Sequence, residues 1–124
     1  MDLKELHEFV RSEDHRLRDL YPEQTHKERI LSRMCKLTEE TGELAEQVLK
    51  TLAMQRKEKM IDVKKEDLEE ELVDVLITAF LLSEILEVNI DDAIEKKVNK
   101  IKNRAAVRKR AANANICAIA ANIS

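Results

Sequence analysis

Glycine and proline each occur once in the 124 residues, as Gly42 and Pro22. So few backbone breakers leave room for long helices and little else. Aromatic residues make up only 2% of the chain and tryptophan is missing, which argues against an all-β fold. There are two cysteines, Cys35 and Cys117, far apart and at no metal-ligand spacing. They read as free thiols of a reducing, cytoplasmic setting. The opening MDLKELHEF lacks the apolar stretch of a signal peptide. No apolar run approaches the roughly 20 residues of a membrane span, so a membrane is not an expected partner. A strong charge of one sign is also lacking: the formal net charge is −3. That makes nucleic acid an unlikely global partner.

What is present is charge and aliphatic carbon: 38% of residues are charged and 44% hydrophobic. The length fits one domain, and the pattern is all-α. Leu3, Leu6, Phe9, Val10, Leu17 and Leu20 mark one face of a first helix over residues 2–20. After Tyr21-Pro22, a second helix is expected over 25–53, started by Pro22 or Thr25. Ile30, Met34, Leu37, Thr41, Leu44, Val48 and Leu52 repeat along it at three and four. Gly42 lies inside, at a cost of about 1 kcal/mol against alanine, and so should have a packing reason or admit a close approach. Residues 54–64 lose the period and read as a loop. A third helix, from Lys65 or Glu66 to about 86, is apolar almost all round between Leu72 and Ser83, which predicts the central, most buried helix. A fourth, over 90–110, is capped by Asn89 or Asp91. Its inner face would be Ile90, Ala93, Ile94, Val98, Ile101 and Ala105. One domain over 1–110 and an uncharged tail over 111–124 complete the plan. Thin apolar stripes on long helices often finish their core against a second copy.

The acids carry the chemistry. Asp74 is the only charged residue between Leu72 and Ser83. A carboxylate buried there would need a cation, a hydrogen-bond cage or a proton. Glu71, three residues earlier, shares its helix face. The second helix offers Glu39, Glu40 and Glu43, with Glu40 at the edge of the apolar stripe. If the two helices pack antiparallel, the pairs can face each other. Four converging carboxylates make a hard, oxygen-only site that favours Mg²⁺ or Mn²⁺ over Zn²⁺. The bland alternatives are a solvated face for Glu39, Glu40 and Glu43, a first-turn acid for Glu71, and a buried ion pair for Asp74. Glutamate is common enough here that neither string argues alone; the apolar context of Asp74 is the added weight.

In this order, EETGE (39–43) and ELVD (71–74), with 27 residues between them, resemble the EExxE and ExxD motifs of the all-α nucleoside triphosphate pyrophosphohydrolases, MazG and the dimeric dUTPases. KLTEETGELAEQ is particularly similar to MazG, as is the later KVNKIKNR (97–104). The likeness spans roughly residues 25–104. It implies a four-to-five-helix MazG-like bundle completed by oligomerisation, as a homodimer or homotetramer. It implies that Glu40, Glu43, Glu71 and Asp74 hold Mg²⁺ (Mn²⁺ as a substitute) and that Glu39 orients or deprotonates water. Lys97, Lys100 and Arg104 would neutralise the triphosphate, and Asn99 matches a polar substrate-binding position. Related members have an asparagine where this chain has Ile101. The implied reaction converts a (deoxy)nucleoside triphosphate to the monophosphate and pyrophosphate, as nucleotide-pool house-cleaning.

The residues support that reading, because Lys97, Lys100 and Arg104 are three and four apart and share a face. The alternative is a non-enzymatic helical module that binds protein or nucleic acid through its basic C-terminal helix, and a buried Asp74 is the feature that speaks against it. A di-iron carboxylate bundle needs two Glu-x-x-His pairs, and only Glu23 to His26 fits. His7, His15 and His26 read as surface residues.

Overall fold

In the computed structural model the chain forms four α-helices: α1 (Leu3–Leu20), α2 (His26–Thr51), α3 (Lys65–Ile85) and α4 (Ile90–Ile123), with a short 3-10 turn at Lys57–Lys59. The structure describes residues 1–54, 56–59 and 64–123, the side chains of 116–123 excepted, and no strand occurs among them. The fold is all-α, as expected. Two compact units result, Met1–Val88 and Asn89–Ser124.

Local chemistry sets the helix ends. Asp2 caps α1: Glu5 N–H donates to its carboxylate at 2.9 Å, and its own N–H donates to Glu5 Oε2 at 2.7 Å. Thr25 and Glu28 form the same reciprocal box at the start of α2, at 3.3 and 2.7 Å. Of the two starts expected for this helix, Thr25 is therefore the cap. At α4, Asp92 N–H donates to Asn89 Oδ1 at 3.2 Å. The helix α3 has no side-chain cap, but Glu66 and Asp67 lie in its first turn and suit the positive end of the helix dipole. Both α2 and α3 end in a left-handed residue that is not glycine, Ala53 (φ 53°) and Glu87 (φ 55°). In each case the next N–H reaches back over a full turn: Met54 to Leu49 O at 2.8 Å, Val88 to Ser83 O at 2.9 Å.

Within the first unit, α3 packs against both α2 and α1. His7 meets the Phe80 ring edge-on at 5.5 Å, and Arg11 pairs with Glu84 at 3.7 Å. These two contacts are one turn apart on each helix and in the same order, so α1 runs parallel to α3. His7 is therefore a packed ring and not a bare surface residue, while His15 and His26 are exposed. Among the described residues the buried apolar side chains are Val10, Leu81 and Ile85.

Two expectations about burial are corrected. The helix α3 is central and holds the buried Thr78, Leu81 and Ile85, more than any other helix among the described residues, but its first half is open: Leu72, Val73 and Leu76 are each about half exposed, and Asp74 is exposed with them. An all-round apolar pattern says that a helix can be covered on every side, not that one chain covers it. Neither is the apolar stripe of α4 buried, since Ile94, Val98 and Ile101 are exposed. The backbone of α4 also stays helical through residues 111–123, where an end near Arg110 was expected. Gly42 has no packing reason among the described residues, because a Cβ built there meets nothing within 4 Å.

Candidate metal centre

The α2–α3 packing brings three of the expected acids together. Glu40, Glu43 and Glu71 each present a carboxylate oxygen, all within 4.8 Å of one another. Their settings are graded: Glu40 is buried at 5% exposure, Glu71 is half-buried and Glu43 is exposed. Three formal negative charges at this spacing repel one another strongly unless something positive joins them.

Two features mark that tension. Glu71 Oε2 is shut off from solvent and has no hydrogen-bond partner. A buried carboxylate oxygen left unmatched is costly, and a bound cation is a standard remedy. The Glu43 carboxyl is pushed above the ordinary range, first by lost solvation, then by its hydrogen bond with Glu40 and the charges of Glu71 and Glu40. The donor set is all oxygen and anionic, the chemistry of Mg²⁺ or Mn²⁺. By these tests the residues present fit a divalent cation.

Asp74 is not part of this group. It lies one turn beyond Glu71 on an exposed surface shared with Glu66, Glu69, Glu70 and Val73. Asp74 is exposed in the isolated chain and needs no partner there; the buried carboxylate that does is Glu40. Among the described residues the other buried acid is Asp14, at 2% exposure. It is held by Arg18 at 2.7 Å and Arg33 at 3.3 Å, an ion-pair cluster that fastens α1 to α2. The sequence carried a signal for it. Asp14 stands four residues after Val10, where the apolar stripe of α1 has a gap, with Arg18 four residues further on.

Lys36 was also missed, although its spacing shows it. Its ammonium lies 2.7 Å from Glu40 Oε1 and 3.2 Å from Glu39 Oε2. Those two contacts, Glu40 first and then Glu39, hold it above the usual lysine range. Glu39 is itself exposed. One turn beyond Glu43, Glu46 accepts both Lys59 at 3.2 Å and Lys50 at 3.3 Å. This ties the 3-10 turn to α2 and holds the Glu46 carboxyl below its usual range, through Lys59 first and then Lys50.

Lys97, Asn99, Lys100 and Arg104 all lie exposed on α4. Asn99, Lys100 and Arg104 share one surface with Lys96, Asn103 and Arg108. Cys35 is a free, exposed thiol, and the side chain of Cys117 lies outside the described residues. No helix among the described residues is long and apolar enough to cross a membrane.

A family model for the MazG nucleotide pyrophosphohydrolase domain matches residues 28–108. That span takes in every candidate site residue. No curated protein and no solved structure matches the chain significantly.

Proposed function

Because the chain belongs to the MazG nucleotide pyrophosphohydrolase domain family, we propose that it hydrolyses a (deoxy)nucleoside triphosphate to the monophosphate and pyrophosphate in the presence of Mg²⁺. The family is metal-dependent in general. The observation that carries the reading is the convergence of Glu40, Glu43 and Glu71, one of which, Glu71, keeps a buried Oε2 with no hydrogen-bond partner. These three would hold the cation, with Asp74 as a fourth ligand one turn further along α3. Mn²⁺ would serve in place of Mg²⁺. When bound, such an ion lowers the pKa of water and offsets phosphate charge.

The remaining steps fall to side chains. Glu39 accepts a proton from the attacking water, whose oxygen bonds to the α-phosphorus as the bond to the bridging oxygen breaks. That oxygen leaves with pyrophosphate. Lys97, Lys100 and Arg104 neutralise the phosphate charge, and Asn99 donates a hydrogen bond. House-cleaning of the nucleotide pool, a cytoplasmic setting and a homodimer or homotetramer belong to the same reading. The half-exposed Leu72, Val73 and Leu76 support the last of these.

The test is pyrophosphate release from a panel of NTPs and dNTPs, with and without Mg²⁺. We expect turnover of at least one nucleotide only with the ion. Glu40→Gln and Asp74→Asn should each abolish turnover while helical circular dichroism persists. No turnover of any nucleotide would sink the enzyme, and full activity in both variants would mean the site is misplaced.

A further inference from the structure

We propose that Lys36 is the internal counter-ion of the acidic centre, a positioning residue that competes with the divalent cation for Glu40. The inference rests on the metal-centre reading and deepens it. Lys36 approaches Glu40 at 2.7 Å, while Glu40 also lies within 4.8 Å of oxygens on Glu43 and Glu71. Glu40 is thus the carboxylate shared between an ammonium and the site where a cation would sit.

The two positive groups cannot both hold Glu40 without cost, because a divalent ion and an ammonium repel across a single carboxylate. Lys36 has somewhere else to go. Its side chain is 49% exposed, and Glu39 already accepts it at 3.2 Å. A flexible four-carbon stem can give up Glu40 and keep Glu39, so the ammonium never loses an anionic partner. Without a divalent ion, Lys36 offsets part of the repulsion among the three carboxylates and keeps Glu40 in place. With one, it is drawn onto Glu39. The centre is held together when empty, at the expense of weaker cation binding than bare carboxylates would give.

The experiment is Mn²⁺ titration of the full chain followed by electron paramagnetic resonance, on the wild type and on Lys36→Met, Lys36→Gln and Lys36→Arg. A thermal melt in chelator accompanies each. Lys36→Met and Lys36→Gln should bind Mn²⁺ roughly three- to tenfold more tightly, the size expected for one unit charge near a divalent ion under water-like screening. Both should melt below the wild type in chelator, and Lys36→Arg should match the wild type in both measurements. Glutamine removes the charge but keeps a hydrogen-bond donor, on a side chain one atom shorter, so it tests the charge even if methionine misfolds. Equal or weaker Mn²⁺ binding in the uncharged variants overturns the role of Lys36 and leaves the metal centre standing. Absence of Mn²⁺ binding in the wild type overturns both.

Discussion

Glu43 titrates against its neighbours, and the sign of that effect is fixed. Its carboxyl is raised above the ordinary value of 4.5 by lost solvation, Glu40 and Glu71. A carboxyl raised in the folded state adds stability below its unfolded pKa. It loses that contribution as pH climbs through the folded value. In chelator at pH 7, Glu43 is therefore a burden on the fold, and Glu43→Gln should melt higher than the wild type. With Mg²⁺ added the order should narrow or reverse, because the variant has lost a ligand. Paired melts with and without Mg²⁺ at pH 4 and pH 7 check both halves; a variant less stable in chelator at pH 7 would contradict the assignment. Asp14 stabilises the fold. Its removal takes from the largely buried Arg33 and from Arg18 the carboxylate that holds both, so Asp14→Ala should cost about 3 kcal/mol in denaturant unfolding. Individual acids were partly legible in the sequence. Spacing placed Glu40 and Glu43 against Glu71, but the premise about Asp74 failed. Burial of a side chain depends on which flank of its helix a neighbour covers, and a string of residues does not state that.

Helices, by contrast, were readable nearly to their ends, except α4, which continues from the expected stop near Arg110 to Ile123. The Thr25 cap and the Asn89 cap stand where polar residues precede an apolar period, because capping is a contact over three residues and needs no tertiary context. The ends of α2 and α3 fall within two residues of expectation, but no glycine marks them. Their left-handed positions are filled by Ala53 and Glu87, while the single glycine sits mid-helix at 42 facing open space. A Cβ in the left-handed region costs roughly 1 kcal/mol, as does glycine in a helix interior. Ala53→Gly and Glu87→Gly should therefore each stabilise the fold by up to about 1 kcal/mol. Gly42→Ala should do the same, unless a substrate or second chain needs the space. Urea midpoints of the three variants measure this. A stabilised Gly42→Ala with impaired turnover would show that this stretch of α2 is kept open for function.

The molecule as a whole is divided by charge more than its net value suggests. Residues 96–110 carry eight basic groups and no acid, so with the chain at −3 the other 109 residues carry −11. Such a separation makes association of a triphosphate sensitive to salt. The KM for the nucleotide should rise several-fold between about 50 and 300 mM salt, with kcat less affected. A salt-independent KM would place the phosphate contacts elsewhere than α4. Charge blocks of this kind are legible in the sequence because they need no fold. What the sequence left open is the assembly, since exposed apolar stripes on α3 and α4 say that a surface wants covering and not how many copies cover it.

Leu72, Val73 and Leu76 flank Asp74 on the open side of α3. In the proposed oligomer, covering that flank would take water away from the Asp74 carboxylate. Its affinity for a cation and the affinity of one protomer for another would then be one coupled equilibrium, and coupling of this kind is reciprocal. Mg²⁺ should shift sedimentation toward the larger species, and dilution should weaken Mg²⁺ binding by the same factor. The centre would then work as a coincidence detector that needs both the ion and a sufficient concentration of its own chain.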